Sequence, residues 1–292
     1  MKISPIRSIG VQLFLYFFLI VIAAVASVGY LSYDTSRELI ETQVRDATRL
    51  TAVQAAEKLD LVLKQYEDMS LEMTLLPEVD DVIQSNRLYK DDMLLQLETR
   101  RALVDRLNTY TFSNSTIAGL YLISMTDELP TMTNGSSLPP ETVKESAWYQ
   151  AAVAADGKGV WITTEARGPS EVQSNPAFGY ARVVKDKSVF TSYFVLLVEV
   201  KESRLQEVLS GVFGEGSRMF VLDANGTIIS SDDSSEIGQP FPVQLNGRDG
   251  AFQTEIEGTE MLVSYSELSG GWKLAGVQPY APLVAGTQEI QK

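Results

Sequence analysis

The feature that most constrains this chain is an apolar run near its N-terminus, from Val11 to Leu31. The run has about 21 residues without a charged side chain, and roughly 20 apolar residues are needed for a helix to cross the hydrocarbon core of a bilayer. Tyr30 and Tyr33 stand at its C-terminal end, where aromatic rings favour the membrane interface. We therefore predict a transmembrane helix over residues 11–31.

The charges that flank this run predict its orientation. Lys2 and Arg7 precede it and Asp34 follows it, so the positive-inside rule places residues 1–10 in the cytoplasm. A cleaved signal peptide is the alternative, because Ala24-Val25-Ala26 has the small-residue pattern of a cleavage site. The run is longer than the roughly 7–15-residue apolar core of such a signal. Both interpretations place the rest of the chain outside the cytoplasm, and the first anchors it in the cell membrane.

The composition excludes several classes of function. The net charge of −14 argues against binding to nucleic acid or to an anionic lipid surface, which both require Lys and Arg. Without cysteine the exported part has no disulfides, and without histidine it has no Ser-His-Asp or Cys-His catalysis and no imidazole zinc site. The chain is therefore interpreted as a small-molecule binder, not an enzyme, with no metal or cofactor implied.

A long amphipathic helix is predicted directly after the apolar run. Residues 34–76 contain neither Gly nor Pro, and their apolar side chains recur at steps of three and four. At 1.5 Å per residue this helix is about 60 Å long, and Pro77 ends it. A packing helix is the plain interpretation. A helix that leaves a membrane span also couples a distant domain to the bilayer, so we predict a signalling helix that forms a homodimer.

The rest of the chain alternates between helical and strand-like segments in two blocks. Shorter helices are predicted over residues 89–109, 141–154 and 202–212. Strand-like runs occupy residues 117–124, 159–164, 179–184 and 188–200 in the first block, and 218–223, 227–231, 251–256, 260–267 and 272–278 in the second. Each block opens with a hydrophobic strand and closes with long ones, which predicts an α+β fold with a repeated unit.

This pattern predicts the domain boundaries. Residues 77–200 form a membrane-distal ligand-binding module, residues 201–216 a connecting helix that ends in glycines, and residues 217–280 a membrane-proximal module. Residues 281–292 are expected to begin a return helix toward the membrane. An output domain beyond Lys292 would then connect the chain to cytoplasmic signalling partners.

Four segments resemble a known family. They are Ser146-Ala147-Trp148-Tyr149, Val198-Glu199-Val200, the hairpin VLDANGTIIS that begins at Val221, and Gly271-Trp272-Lys273-Leu274. Together with the order of elements, they resemble the double Cache sensing domain of bacterial methyl-accepting chemotaxis proteins and sensor kinases. The resemblance implies two PAS-like antiparallel-sheet modules after the transmembrane and long helices, with a small-molecule pocket in the membrane-distal module.

The resemblance also implies which residues line the pocket. They are Trp148 and Tyr149 in its wall, Trp161 and Thr163 on the next strand, Tyr121 on the first strand, Arg182 on a neighbouring strand and Glu199 at the floor. In amine-binding members an acidic floor residue pairs with the ligand's ammonium group. Aromatic faces and one carboxylate favour an amine-bearing or cationic ligand. Amino-acid-binding members place Arg two residues before the Trp, and this chain has Ser146 there.

Several alternatives stay open at this point. Trp148, Tyr149 and Trp161 are also explained as core aromatics, and Glu199 as one half of a salt bridge with Arg182 or Lys201. The chain is predicted to be the sensing portion of a chemoreceptor. The sensor domain of a membrane histidine kinase, or an anchored extracellular enzyme or adhesin, is the alternative. An enzyme would need a nucleophile–base or paired-carboxylate arrangement, and no spacing in the sequence nominates one.

Overall fold

The computed structural model describes residues 9–135, 137–214 and 216–280, with side chains from Leu13 onward. The helices are α1 (Ile9–Thr74), α2 (Pro77–Leu88), α3 (Met93–Ser113), α4 (Ala147–Ala154) and α5 (Ser203–Leu209). The strands are β1 (Ile117–Ser124), β2 (Met132–Thr133), β3 (Val160–Glu165), β4 (Ala177–Lys185), β5 (Ser192–Lys201), β6 (Arg218–Leu222), β7 (Ile228–Ser231), β8 (Asp249–Ile256), β9 (Thr259–Glu267) and β10 (Lys273–Pro279). Residues 1–8 and the predicted return helix at 281–292 lie outside the described residues.

The apolar run and the long amphipathic segment form one continuous helix. This helix, α1, has 66 residues and is therefore about 100 Å long at 1.5 Å per residue. Its side chains between Leu13 and Tyr33 are exposed and largely apolar. Among the described residues it is the one helix that is long and apolar enough to cross a membrane.

Pro77 has a second role that the sequence pattern did not predict. It ends α1 and also occupies the first turn of α2, where proline is favoured because the first backbone N–H groups of a helix have no intrahelical partner. Glu78 and Asp80 lie in the same turn and complement the positive end of the helix dipole. Because Pro77 was interpreted only as the end of the long helix, α2 was not predicted from the sequence.

The two sheets share one topology. The first module has the strand order β2-β1-β5-β4-β3 and the second has β7-β6-β10-β9-β8, and every pairing is antiparallel. The last strand of each module lies at the centre of its sheet, as the apolar run before Lys201 predicted for β5. The predicted fold class is confirmed: a long N-terminal apolar helix is followed by two PAS-like antiparallel sheets.

Each sheet has one face on α1 and an opposite face, which we call the outer face. Because side chains alternate along a strand, successive residues contribute to different cores. The α1 faces of both sheets belong to one continuous core that includes Leu59, Phe178 and Trp272. The outer faces carry two separate clusters, one around Tyr121 in the first module and one around Phe220 in the second. Each module thus has its own outer surface while sharing α1.

Candidate ligand-binding site

Glu199 lies on the central strand of the first sheet, between two glycines. The register places Gly119 of β1 and Gly179 of β4 directly beside it. Its side chain projects to the outer face and is fully buried. Glycine within a strand leaves space for a close approach, so the two glycines form a notch on either side of the carboxylate.

Tyr121 covers one side of this notch. A Cβ atom added to Gly119 would come within 2.5 Å of the Tyr121 hydroxyl oxygen and 2.6 Å of its ring, so the ring lies over the glycine backbone. The hydroxyl of Tyr121 is hydrogen-bonded to the Glu199 carboxylate. Gly119 therefore positions the tyrosine hydroxyl against the acid.

The loop between β3 and β4 covers the rest of the notch. The Ser170 backbone N–H donates to Glu199 Oε1 at 2.5 Å, the Ser170 hydroxyl to Oε2 at 2.9 Å, and the Gln173 amide to Oε2 at 2.6 Å. The same Gln173 amide nitrogen donates to the Tyr121 hydroxyl at 2.9 Å. Pro169 fills the space above Gly179, since its Cγ would be 3.1 Å from a Cβ there.

The partners of Glu199 differ from the salt bridge considered from the sequence. Arg182 lies on the opposite face of the sheet, and the Lys201 ammonium group donates to the Ser115 carbonyl at 2.7 Å. The donors to Glu199 are instead neutral groups, Ser170 and Gln173 of one loop and the Tyr121 hydroxyl of β1. Burial raises the pKa of the Glu199 carboxyl, and the hydrogen bonds from Ser170, Gln173 and Tyr121 only partly oppose it. A cation that approaches this carboxylate would favour its ionised form.

Two aromatic side chains from α4 pack on the same outer face. The ring centroids of Trp148 and Tyr149 are 5.8 Å apart in an edge-to-face arrangement with an interplanar angle of 69°. Both side chains are buried and belong to the cluster that contains Tyr121, and burial raises the pKa of the Tyr149 hydroxyl. Ser146 caps α4 by accepting from the Tyr149 backbone N–H at 3.3 Å, so the residue at the expected arginine position is a structural cap.

Two other predicted site residues lie on the α1 face of the sheet. The Trp161 indole donates to Glu67 of α1 at 2.8 Å. The Arg182 guanidinium donates to the Ser70 hydroxyl of α1 at 3.3 Å and to the Gly157 carbonyl at 3.0 Å. The structure thus brings together Tyr121, Trp148, Tyr149 and Glu199 and separates Trp161 and Arg182 from them.

Thr163 completes the set of predicted residues. It is half-buried on β3, within a stretch where the β3–β4 register shifts between Ile162 and Glu165. Ile162 belongs to the outer cluster, whereas the preceding residue contacts α1. No hydrogen bond connects Thr163 to Glu199 among the residues that the structure describes.

Trp161 is the centre of an aromatic group at the junction of the modules. Its ring centroid lies 4.7 Å from that of Tyr180, 6.0 Å from Phe178 and 5.6 Å from Trp272 of the second module. Burial raises the pKa of the Tyr180 hydroxyl, and Glu67 adds to that effect. One residue of β3 therefore contacts the first sheet, the second module and α1.

The sequence interpretation missed four residues of the site. They are Gly119, Gly179, Ser170 and Gln173. Glycine inside an apolar strand is a signal of close backbone approach, so Gly119 and Gly179 could have been predicted as site residues from the sequence. Ser170 and Gln173, in the loop, belong to no comparable sequence pattern.

Across the described residues, no cluster of three or more acidic side chains is arranged to hold a metal ion.

Two PAS-like sheets on a long helix, with a buried carboxylate and aromatic residues on an outer face, define the class of two-module sensor domains. The sequence matches the Cache domain family (dCache_1) over residues 32–287, and the chain belongs to that family. This match confirms the predicted family, whose members are ligand-binding sensor domains. No curated protein matches the chain at a significant level.

Solved structures share the fold at low sequence identity. The ligand-binding domain of the Pseudomonas fluorescens chemoreceptor CtaA, in complex with L-isoleucine, has a TM-score of 0.63 and 14% identity, covering 86% of this chain and 99% of that one. The ligand-binding domain of Mlp24 with asparagine has a TM-score of 0.61 and 15% identity, covering 86% and 98%. The extracellular domain of the putative histidine kinase mmHK1S-Z3 has a TM-score of 0.62 and 16% identity, covering 87% and 99%.

Proposed function

We propose that this chain is the extracellular sensing portion of a transmembrane chemoreceptor, with a ligand that carries an amine or another cationic group. Residues 11–31 span the cell membrane, α1 beyond them transmits the signal, and the first module, residues 77–200, is membrane-distal. The second module, residues 217–280, is membrane-proximal and follows the connecting segment 201–216. The observation that carries the proposal is the buried Glu199 carboxylate in its glycine notch.

The Gln173 amide marks where the cationic group binds. Its nitrogen lies within hydrogen-bond distance of both Glu199 and the Tyr121 hydroxyl. A ligand ammonium at this position makes the same bonds and adds a full positive charge, and charge-assisted hydrogen bonds are about twice as strong as neutral ones. Trp148 and Tyr149 then offer aromatic faces to the rest of the ligand. Ligand binding therefore requires the loop around Gln173 to move aside.

Movement of this loop has a direct route to α1. The loop joins β3 to β4, and β3 carries Ile162 in the outer cluster and Trp161 against Glu67 of α1. A ligand that binds one loop position better than the other shifts the equilibrium between two positions of β3. Because α1 continues without a break into the apolar segment, a displacement at Glu67 reaches the membrane helix.

The exposed side of α1 supports a homodimer. Leu39, Leu50 and Leu61 are 58%, 57% and 67% exposed and stand eleven residues apart. Eleven residues correspond to about three helical turns, so such a repeat keeps one face aligned along the helix. A second copy of α1 packed along these leucines would bury them.

The sensor domain of a membrane histidine kinase is the second candidate function. The similarity in fold to the extracellular domain of a putative histidine kinase favours it. In both cases the sensor acts on cytoplasmic partners through an output domain. The type of output domain encoded by the same gene distinguishes them, because a chemoreceptor has a long heptad-rich rod and a kinase has a catalytic core.

The binding proposal is tested with the full chain in lipid nanodiscs. Thermal unfolding is followed in the presence of separate panels of amines, amino acids, carboxylates and purines. A ligand at a hundredfold excess over Kd stabilises the folded state by about 2.7 kcal/mol. We expect hits among amines and other cations, and hits confined to carboxylates would contradict the proposal.

A further inference from the structure

A cavity of ≈ 450 Å³ lies where α1 meets both modules, beside Trp161. Trp161 of the first module, together with Ser269 and Gly270 of the second, forms one side of it. A Cβ atom added to Gly270 would lie 3.4 Å from Cδ1 of Trp161, so the ring and the glycine are close neighbours there. The other side belongs to α1 and consists of Glu57, Asp60, Leu61, Leu63, Lys64 and Glu67.

Four of these α1 residues are spaced to receive a side chain from a second helix. They are Glu57, Asp60, Leu61 and Lys64, and we call them the socket. Each stands three or four positions from two of the others, so the four form a diamond of neighbours on the helix surface. When two helices pack along a seam, each side chain of the seam inserts into such a hole of four residues on the facing helix. In a parallel pair in register, the side chain opposite the socket is Leu61 of the second copy.

The socket lies in the middle of the exposed side of α1. Leu61 is 67% exposed, and Leu50 and Leu75 are 57% and 58% exposed. These two leucines stand eleven and fourteen residues from Leu61, which at 3.6 residues per turn places both within about 40° of it around the helix axis. Leu59 and Leu63, which face the sheets, are buried. An aligned set of exposed leucines marks an interaction surface.

The charges around the socket suit a second copy of the same surface. Lys64 stands one helical turn from Asp60 and one turn from Asp68, and none of the three is buried. In a two-fold symmetric contact a surface meets itself, so each residue contacts a different residue of the other copy. Lys64 of either copy can therefore pair with an aspartate of the other. Because both copies of α1 leave the same side of one membrane, the two helices run parallel.

We propose that the socket receives Leu61 of a second copy, which then packs against Trp161 across the cavity. The inference rests on the homodimer of the proposed function and adds the point of contact. Trp161 already donates to Glu67 of its own α1 at 2.8 Å. A displacement of β3 at Trp161 therefore acts on both α1 helices of the pair, so a ligand bound to one copy moves the membrane helices of both.

Cysteine cross-linking in lipid vesicles tests the contact between the helices. The native chain has no cysteine, so one introduced cysteine reports one position. Leu50→Cys and Leu61→Cys should form disulfide-linked dimers under mild oxidation. Leu94→Cys is the matched control, because Leu94 is 66% exposed but lies on α3, and it should link at least tenfold more slowly. Absence of links at both α1 positions would contradict the homodimer, and the inference with it.

Photo-cross-linking then tests the contact with Trp161 separately. A chain with p-benzoylphenylalanine in place of Leu61 is mixed in vesicles with isotope-labelled native chain, and mass spectrometry maps the adducts. We expect adducts on the labelled copy next to Trp161 or at residues 269–270. The same probe in place of Leu50 should react with the labelled α1 but not with these segments.

A mixed disulfide keeps the test decisive if the larger probe separates the copies. Differently tagged chains that carry Leu61→Cys and Gly270→Cys should link to each other at least tenfold faster than Leu94→Cys and Gly270→Cys do. Disulfides at Leu50→Cys without this mixed link and without adducts near Trp161 would overturn the inference and leave the homodimer intact. Adducts confined to the copy that carries the probe would also overturn it, since the cavity would then be open to a small molecule instead of the second copy.

Discussion

The indole nitrogen of Trp161 donates to Glu67 Oε1 at 2.8 Å, which fastens β3 of the first module to α1. The same indole packs against Trp272 of the second module, with ring centroids 5.6 Å apart. The adjacent residue, Ile162, belongs to the outer cluster of the proposed binding site. Of these two neighbouring residues of β3, Ile162 thus lies on the side of the proposed ligand and Trp161 on the side of α1.

Replacing Trp161 with phenylalanine tests this link, because it keeps an aromatic ring and removes the N–H donor. We expect the free energy of unfolding to fall by about 1.5–3 kcal/mol, since a hydrogen bond to a charged acceptor is lost. Ligand affinity should stay within threefold, while the ligand-dependent displacement of α1, measured by spin-label distances, should shrink.

Tyr110→Phe is the matched control for this variant. Tyr110 of α3 donates to Glu72 of α1 at 2.7 Å but lies outside both the aromatic group around Trp161 and the outer cluster. Its loss should leave the α1 displacement unchanged. An equal loss of displacement in both variants would contradict a specific route through Trp161.

Gly119→Ala should disrupt the notch. The new Cβ would lie 2.5 Å from the Tyr121 hydroxyl oxygen, so the ring must move away from Glu199. Overpacking of this kind costs about 1–3 kcal/mol, and the ligand affinity at Glu199 should fall with it. Denaturant unfolding and titration measure the two effects. Gly29→Ala, at a position of α1 with no other atom within 4 Å, should lower neither the stability nor the affinity.

Gln173→Ala should strengthen ligand binding. The amide of Gln173 competes for the Glu199 carboxylate, and a hydrogen bond to a charged group is worth about 1.5–3 kcal/mol. Its removal should therefore lower Kd for a cationic ligand by roughly tenfold, since each 1.4 kcal/mol is about a factor of ten. Gln150→Ala removes an amide that donates to the Lys144 carbonyl on the surface and should leave Kd unchanged. A weaker affinity in Gln173→Ala would identify Gln173 as a ligand contact instead.

The raised pKa of Glu199 predicts how stability depends on pH. An acid with a higher pKa in the folded state binds its proton more tightly there, so its contribution to stability is present at low pH. This contribution is lost as pH rises from the ordinary value of 4.5 through the raised pKa. As pH rises over this window, the native chain should therefore lose unfolding free energy relative to Glu199→Gln. A difference that does not vary with pH would show that Glu199 is not perturbed.

Much of the fold was predictable because it follows from local patterns. The apolar run before Asp34 predicted the exposed part of α1, and the run that ends at Lys201 predicted the central strand β5. The two faces of a buried strand carry similar residues, so alternation alone did not show which face Trp161 would take. Neither did it show that Gly119 and Gly179 flank Glu199, because cross-strand register depends on the whole sheet.

Binding of cationic ligands at Glu199 is tested most directly by titrating the amine hits into the native chain, Glu199→Ala and Trp148→Ala in nanodiscs. Glu207→Ala, which removes an exposed acid paired with Arg204, is the matched control. We expect Kd to rise at least tenfold in Glu199→Ala and Trp148→Ala and to stay within twofold in Glu207→Ala. Unchanged binding in both site variants would place the ligand elsewhere and contradict the proposed site.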